Sequence, residues 1–286
     1  MSIESYRRHF FEALHEYKDD SSGESLYEDA NRLHFHEAAL PFLEALPTDF
    51  STLIDVGCGC GYDSRWFSRN AKEVTAITSH PTPAQLAFAA RNGFEMRHMD
   101  MHALEFEDAS VDAILCKHCL EHAFSPLGAL FEMRRVLKPG GYLFLVVPPH
   151  HEQMIESGHF TQGWSIGQMA YCLAVAGFDA RDGAYRKRRG NVEGVVRKAP
   201  EIPRGRGLYE VADRLPEAIQ ELQRDEWHGG FPRDQFEQIR WPYAGAERQT
   251  IMASARSSIE RVSLRDVIKN RVERKLPGGR WISKLL

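Results

Sequence analysis

The segment Asp55-Val56-Gly57-Cys58-Gly59-Cys60-Gly61 limits what this chain can fold into more than any other. Three glycines at alternate positions separate an apolar run, Leu53-Ile54-Asp55-Val56, from a helix-like one, Tyr62 to Asn70. Glycine tolerates positive φ and lets backbone approach another atom closely, and a helix starting just beyond it presents unpaired N–H groups. The local architecture is therefore strand, tight turn, helix, with a small-ligand site at the turn. An acid precedes the first glycine, whereas dinucleotide-binding turns read G-x-G-x-x-G. A carboxylate at that strand end suits a ligand with an ammonium group and an adjacent sulfonium better than a pyrophosphate.

From Ser51 to Lys198 strand-like and helix-like segments alternate. Strands are predicted at Thr52–Val56, Glu73–Thr78, Phe94–Met99, Val111–Cys116 and Tyr142–Val147. A helix from Pro126 to Leu137 stops at Lys138-Pro139-Gly140-Gly141. Another runs from Ile166 to Ala176 and ends at Gly177. Two last strands, Phe178–Tyr185 and Asn191–Val196, are joined by a basic turn containing glycine. The prediction is an α/β fold: a Rossmann-like, seven-stranded, mostly parallel sheet between helices, with its last strand antiparallel.

Three segments follow. Residues 1–50 read as a helical N-terminal cap or lid, 51–198 as the α/β domain, and 199–286 as a helical extension opened by Pro200, Pro203, Gly205 and Gly207. Between 261 and 286 eight Lys/Arg face two acids, along an apolar face of Val262, Leu264, Val267, Ile268, Val272 and Leu276. This is read as an amphipathic helix packing on its own domain, with peripheral contact to a membrane surface or acidic partner as the alternative. A net charge of −4 gives no global attraction to nucleic acid. The start of the chain has no basic-then-apolar leader, no apolar run reaches the ~20 residues of a membrane span, and the five cysteines lack a framework spacing. The expected location is cytoplasmic.

Further landmarks fall in order. His98-Met99-Asp100-Met101-His102-Ala103-Leu104 follows the third strand, and Phe106-Glu107-Asp108-Ala109-Ser110-Val111-Asp112-Ala113-Ile114 leads into the fourth. Leu120-Glu121-His122 comes next, then Arg134-Arg135-Val136-Leu137-Lys138-Pro139-Gly140-Gly141. With the glycine turn, these motifs resemble the class I S-adenosylmethionine-dependent methyltransferase family, in particular its type 11 members, closely over residues 50–150 and loosely to 198. The resemblance implies a methyltransferase with S-adenosylmethionine as cofactor. It assigns Asp55, Gly57, Gly59 and Gly61 to the amino-acid end of the cofactor pocket, and Asp100 and Met101 to the adenine; Cys58, a small residue that fits the turn, is counted with the cofactor set. Thr78 stands where the family usually has an acid for the ribose hydroxyls, as it does in members that build cyclopropane rings on lipids. Ser79 and Lys117, at neighbouring strand ends, complete the cofactor set.

The sulfonium makes its own methyl electrophilic, so the protein must align the acceptor and manage its proton. An amine need only be neutral, whereas a hydroxyl needs a base or a metal. After the fourth strand the chain reads Cys116-Lys117-His118-Cys119-Leu120-Glu121-His122. Quinone-biosynthesis O-methyltransferases resemble it with E-x-x-E-H, which can hold a divalent metal. Here His118, Glu121 and His122 give H-x-x-E-H, a set suited to a softer metal than magnesium, to a histidine general base, or to shaping the pocket.

His150 and His151 follow the fifth strand and His159 lies on the next loop, so each could complete a metal site, bind acceptor or be a plain loop residue. His151 joins His118, Glu121 and His122 as the candidate catalytic set. Cys116-x-x-Cys119, with no second pair, is read as packing rather than zinc or redox chemistry. Tyr27, His34 and His36 could close over the site, and Phe160 and Trp164 could wall the acceptor. The preferred reaction is O-methylation of a hydroxyl on a sugar, glycan or other small polar metabolite. N- or C-methylation of a small molecule or lipid is the alternative, and a non-catalytic cofactor-binding scaffold is the reading from another class.

Overall fold

Buried parallel strands should be apolar on both faces, and this sheet is built that way. In the computed structural model the described residues are 47, 49–70, 72–149, 158–161, 163–188, 190–203, 211–224 and 236–241. The expected cap lies outside them except at its last residues. So do His150 and His151, Tyr27, His34 and His36, and the basic segment 261–286.

The elements are β1 (Thr52–Val56), α1 (Tyr62–Arg69), β2 (Glu73–Thr78), α2 (Pro83–Arg91), β3 (Glu95–His98), β4 (Val111–Lys117) and a 3-10 turn at Leu120–His122. Then come α3 (Pro126–Val136), β5 (Leu137–Val147), α4 (Ile166–Val175), β6 (Ala184–Arg188) and β7 (Asn191–Arg197). A second 3-10 turn (Ala212–Arg214), α5 (Glu217–Arg224) and β8 (Gln238–Ile239) end the series.

The strands form one sheet in the order β3-β2-β1-β4-β5-β7-β6-β8. β1 to β5 pair in parallel, whereas β7 is antiparallel to both β5 and β6. The mostly parallel α/β prediction is correct, but among the described residues the sheet has eight strands rather than seven. The extra one, β8, is two residues long and pairs antiparallel with β6 at Tyr185↔Ile239. The sixth strand is also displaced. Phe178–Tyr185 was expected, but Phe178 makes only an isolated bridge to Lys198 and the ladder begins at Ala184. Phe178 and Ala180 are buried without being in a strand, so their apolarity reports the core and not the ladder. The fifth strand begins earlier than expected, because Leu137 already pairs with Val111.

Alternate residues of the central strands face different cores. Ile54, Val56, Ile114, Cys116, Leu143 and Leu145 pack with Leu130 and Met133 of α3 and Met169 and Leu173 of α4. Leu53, Leu115, Phe144 and Val146 pack with Trp66 and Phe67 of α1 and Phe88 of α2. The expected extension contributes to the first of these cores, since Val211, Leu215 and Ile219 are fully buried in it. Asp112 ties β1 to β4: it accepts hydrogen bonds from the Ser51 and Thr52 amides and the Thr52 hydroxyl, and pairs with Lys138 at 2.7 Å. No described helix is long and apolar enough to cross a membrane.

Candidate functional site

Ligands in open α/β sheets sit beyond the carboxyl ends of the strands, and a cavity of about 590 Å³ lies there. That is the size of an ordinary small-molecule site. Its walls come from the ends of β1 (Val56, Gly57, Gly59), β2 (Ile77, Thr78, Ser79, His80), β3 (His98 to His102) and β4 (His118, Cys119), with His122 and Phe124 beyond.

The glycine turn has the geometry its sequence implies. Gly57, Gly59 and Gly61 all have positive φ, of 71°, 54° and 78°. A β-carbon on Gly57 would fall on the Cys119 side chain, and one on Gly61 would meet the Phe94 ring at 2.8 Å. The Gly57 and Cys58 amides both donate to the Ile77 carbonyl, at 2.9 and 3.1 Å. Gln85 props the turn from α2: its side chain donates to the Gly59 carbonyl at 2.9 Å and accepts from the Thr82 amide, completing a capping box.

Asp55 lies beneath the turn on the α1 side and is buried. It accepts a 2.6 Å hydrogen bond from the Ser64 hydroxyl. Burial, followed by the nearby Asp63 carboxylate, pushes its carboxyl up to about 7. Lys117 turns to Asp63, with which it forms a mostly buried ion pair, and is not part of the cavity wall. Asp55, Cys58 and Gly61 also stand behind the wall rather than in it. Thr78, Ser79, Asp100 and Met101 line it. Asp100 accepts hydrogen bonds from the amide of His102 and contacts its ring at 2.7 Å, which holds the Asp100 carboxyl below the usual range.

At the far end, His118 has a left-handed backbone with φ 48°, uncommon for a non-glycine residue and typical of strained functional positions. Its Nδ1 lies 3.5 Å from Glu121, whose side chain is 1% exposed. His122 is exposed, and its Nδ1 lies 2.8 Å from the Gly158 carbonyl. Among the described residues the group of potential metal ligands is Glu121, His122 and His159, not the expected His118, Glu121 and His122. The post-β5 loop thus brings in one of the histidines the sequence offered.

The expected acceptor wall is half corrected. Trp164 is 1% exposed and belongs to the core, bridged to Pro149. Phe160 is exposed and packs on exposed Phe124, ring centroids 4.5 Å apart, beside the cavity. Sequence reasoning did not single out Phe124, His80 or Gln85. Nor did it find the buried polar pair Asn191 and Glu193 on β7. Arg186 pairs with Glu193, yet among the described residues Glu193 Oε1 and both side-chain polar atoms of Asn191 have no hydrogen-bond partner. A charged residue flanked by Val192, Gly194, Val195 and Val196 was the available signal. Cys116 and Cys119 are buried, and their mutual hydrogen bond and burial push the Cys116 thiol up, so both act as packing groups.

Comparison with known proteins agrees with this geometry. Residues 54–145 match the family model described as a methyltransferase domain. The chain is 38% identical over 101 residues to the ubiquinone biosynthesis O-methyltransferase of Xanthomonas oryzae pv. oryzae, covering 32% of this chain and 41% of that protein. It is 32% identical over 124 residues to the demethylmenaquinone methyltransferase of Tropheryma whipplei, covering 43% and 51%. The chain therefore spans about half or less of the length of these relatives. Among solved structures, a chain of the complex between the Haloferax volcanii Trm112 methyltransferase activator and a methyltransferase superposes with a TM-score of 0.50. It shares 20% identity over 59% of this chain and 90% of that one, a likeness of fold.

Proposed function

We propose, from the premise that this chain belongs through residues 54–145 to the class I S-adenosylmethionine-dependent methyltransferase family, that it transfers a methyl group to a hydroxyl of a small polar acceptor such as a sugar or glycan unit. The observation that carries this reading is the single cavity joining the glycine turn to the His118 end. When bound, S-adenosylmethionine supplies an electrophilic methyl on a sulfonium. The residues present fit it. Gly57 and Gly59 leave room for close backbone approach, and Asp55, reluctant to ionise on its own, would be stabilised as a carboxylate by the donor's ammonium group. Thr78 and Ser79 would meet the ribose, and Met101 and Asp100 the adenine. Asp100 would give up some of its bonding to His102 to do so.

On the acceptor side, His118 is the general base. It lines the cavity, and the Glu121 side chain, 3.5 Å from its Nδ1, orients the ring to take a hydroxyl proton. The exposed Phe124–Phe160 pair offers flat apolar surface against which a sugar ring packs. Glu121 and His122 shape the floor. Lys117 acts indirectly, holding Asp63 beside Asp55.

The test is a panel of acceptor classes (sugars, phenols, amines, thiols and lipids) assayed for S-adenosylhomocysteine release, alongside calorimetry with S-adenosylmethionine. Release with hydroxyl acceptors that collapses in His118→Ala, with donor binding intact, supports the reading. Turnover only with amines, or turnover untouched by His118→Ala, refutes the hydroxyl assignment. No donor binding by the wild type refutes the enzyme assignment.

A further inference from the structure

We propose that Glu121, His122 and His159 form a binding site for one divalent transition-metal ion at the acceptor end of the cavity. Each offers one ligand atom, and all three atoms lie within 4.8 Å of one another. The grouping joins two parts of the chain, the 3-10 turn after β4 and the loop after β5, and it leaves His118 outside.

Three features besides proximity describe a built site. First, Glu121 is 1% exposed and its Oε2 accepts no hydrogen bond from the described residues. A buried carboxylate oxygen without a donor is costly, and a cation is the partner that removes the cost. Second, the bond from His122 Nδ1 to the Gly158 carbonyl puts the proton on Nδ1 and leaves the Nε2 lone pair to bind. Imidazoles that ligate metals are held in this way by a carbonyl or carboxylate on the other nitrogen. Third, the loop carrying His159 is fastened to the turn: the Phe160 and Thr161 amides donate to the Glu121 carbonyl at 2.8 and 3.1 Å. That places the His159 ring edge-on to His122, centroids 4.7 Å apart.

The donor set decides the ion class. Two neutral imidazoles and one carboxylate suit zinc, iron(II) or cobalt(II), whereas magnesium prefers oxygen ligands and keeps its waters. Three protein ligands also leave positions open, and His122 lines the cavity from which an acceptor would reach them. An acceptor hydroxyl bound there would be more acidic, with His118 3.5 Å from the same Glu121 to receive its proton. That use rests on the hydroxyl-methyltransferase reading above; the site itself does not.

The experiment titrates the chelator-treated full chain with cobalt(II), followed by visible absorption, and with zinc, followed by calorimetry. One equivalent is expected to bind, with the intense visible bands of a low-coordinate cobalt site. His159→Ala and Glu121→Gln should each weaken binding by about tenfold to a hundredfold or more, the range seen even for the partners that merely orient ligands. His118→Ala should leave it within about threefold. Binding of S-adenosylmethionine by the same variants reports that they fold. Should Glu121→Gln fail that check, His159→Ala decides alone. Absence of stoichiometric binding, or binding untouched by His159→Ala, overturns the proposal. A loss with His118→Ala as large as that with His159→Ala also overturns it, in favour of the H-x-x-E-H set. Metal binding without any methyl transfer would refute the proposed function and leave the site standing.

Discussion

The side chain of Cys119 fills the space that a β-carbon on Gly57 would need. The turn after β1 and the segment after β4 are thus fitted to each other. Gly57→Ala would carry two penalties, this overlap and a φ of 71° that an L residue resists. The second alone costs about 1–3 kcal/mol. A lower melting temperature and loss of S-adenosylmethionine binding by calorimetry are expected. Adding Cys119→Gly should restore part of the stability and not all of it, because the φ penalty remains. Full recovery in the double variant would mean that the overlap is the whole effect.

On the proposed reading, Asp55 makes donor binding depend on pH. Its carboxyl, pushed up to about 7 by burial and by Asp63, holds a proton in the folded chain that an unfolded chain releases near 3.8. The folded state binds more protons in that window, so the stability of the ligand-free protein falls as pH rises from about 4 to 7. Donor binding, which on that proposal uses the carboxylate, should tighten by roughly tenfold per unit up to about pH 7 and then level off, one proton being released below that point. Isothermal titrations in buffers of different ionisation enthalpy would show this, and Asp55→Asn should be both weak and flat across the window. A flat wild-type profile would remove Asp55 from the cofactor site.

Asp112 predicts the opposite sign. The Lys138 ammonium beside it, together with the Ser51 and Thr52 donors, holds its carboxyl well below the usual range. Its contribution is therefore present above the unfolded value of about 4 and is lost as the solution is acidified. Asp112→Asn should destabilise by about 1.5–3 kcal/mol at neutral pH, the range for hydrogen bonds to charged groups. Its deficit relative to wild type should shrink below pH 4, as read from urea midpoints.

His118→Gly separates chemistry from strain. Removing the side chain removes the proposed base, for which a fall in kcat of about 10²–10⁴ is expected. It also relieves a left-handed non-glycine residue, so the melting temperature should hold or rise. A variant that is both inactive and markedly less stable would show that the imidazole is mainly a structural group.

Phe124 is tested through the acceptor. Phe124→Ala exposes the Phe160 ring it covers, should raise KM for the acceptor severalfold, and should leave the donor's affinity within about twofold, as for loss of uniform binding.

Much of this was legible in the sequence because burial and backbone constraint leave marks. Ile54, Ile114 and Leu143 read as strands because both faces of a central parallel strand are covered. The glycines announce positive φ. Where the marks are ambiguous, the reading slipped. Phe178 and Ala180 are apolar because they are buried, whereas the true sixth strand carries Arg186, Lys187 and Arg188 near the sheet's edge. β8 is too short to have a period. In the site, local spacing made His118, Glu121 and His122 look like one ligand set, because they share a seven-residue stretch. The left-handed residue at 118 and the loop bonds at 160 and 161 regroup them, and only the folded loop selects His159. The pairing of Lys117 with Asp63 joins positions 54 residues apart, which no local pattern encodes.

The placement of β7 between β5 and β6 bears on how the protein is made. A nascent chain emerging from the ribosome can pair β1 to β5 as each appears, in parallel. When β6 follows it finds no open neighbour, since both of its partners, β7 and β8, are still to be synthesised. Until residue 197 is out, β5 presents the bare apolar edge Tyr142–Val147 that β7 later covers. Products terminated between 147 and 190 should therefore be hazardous to the cell, prone to join one another along that edge, whereas those ending beyond β8 should be tolerated.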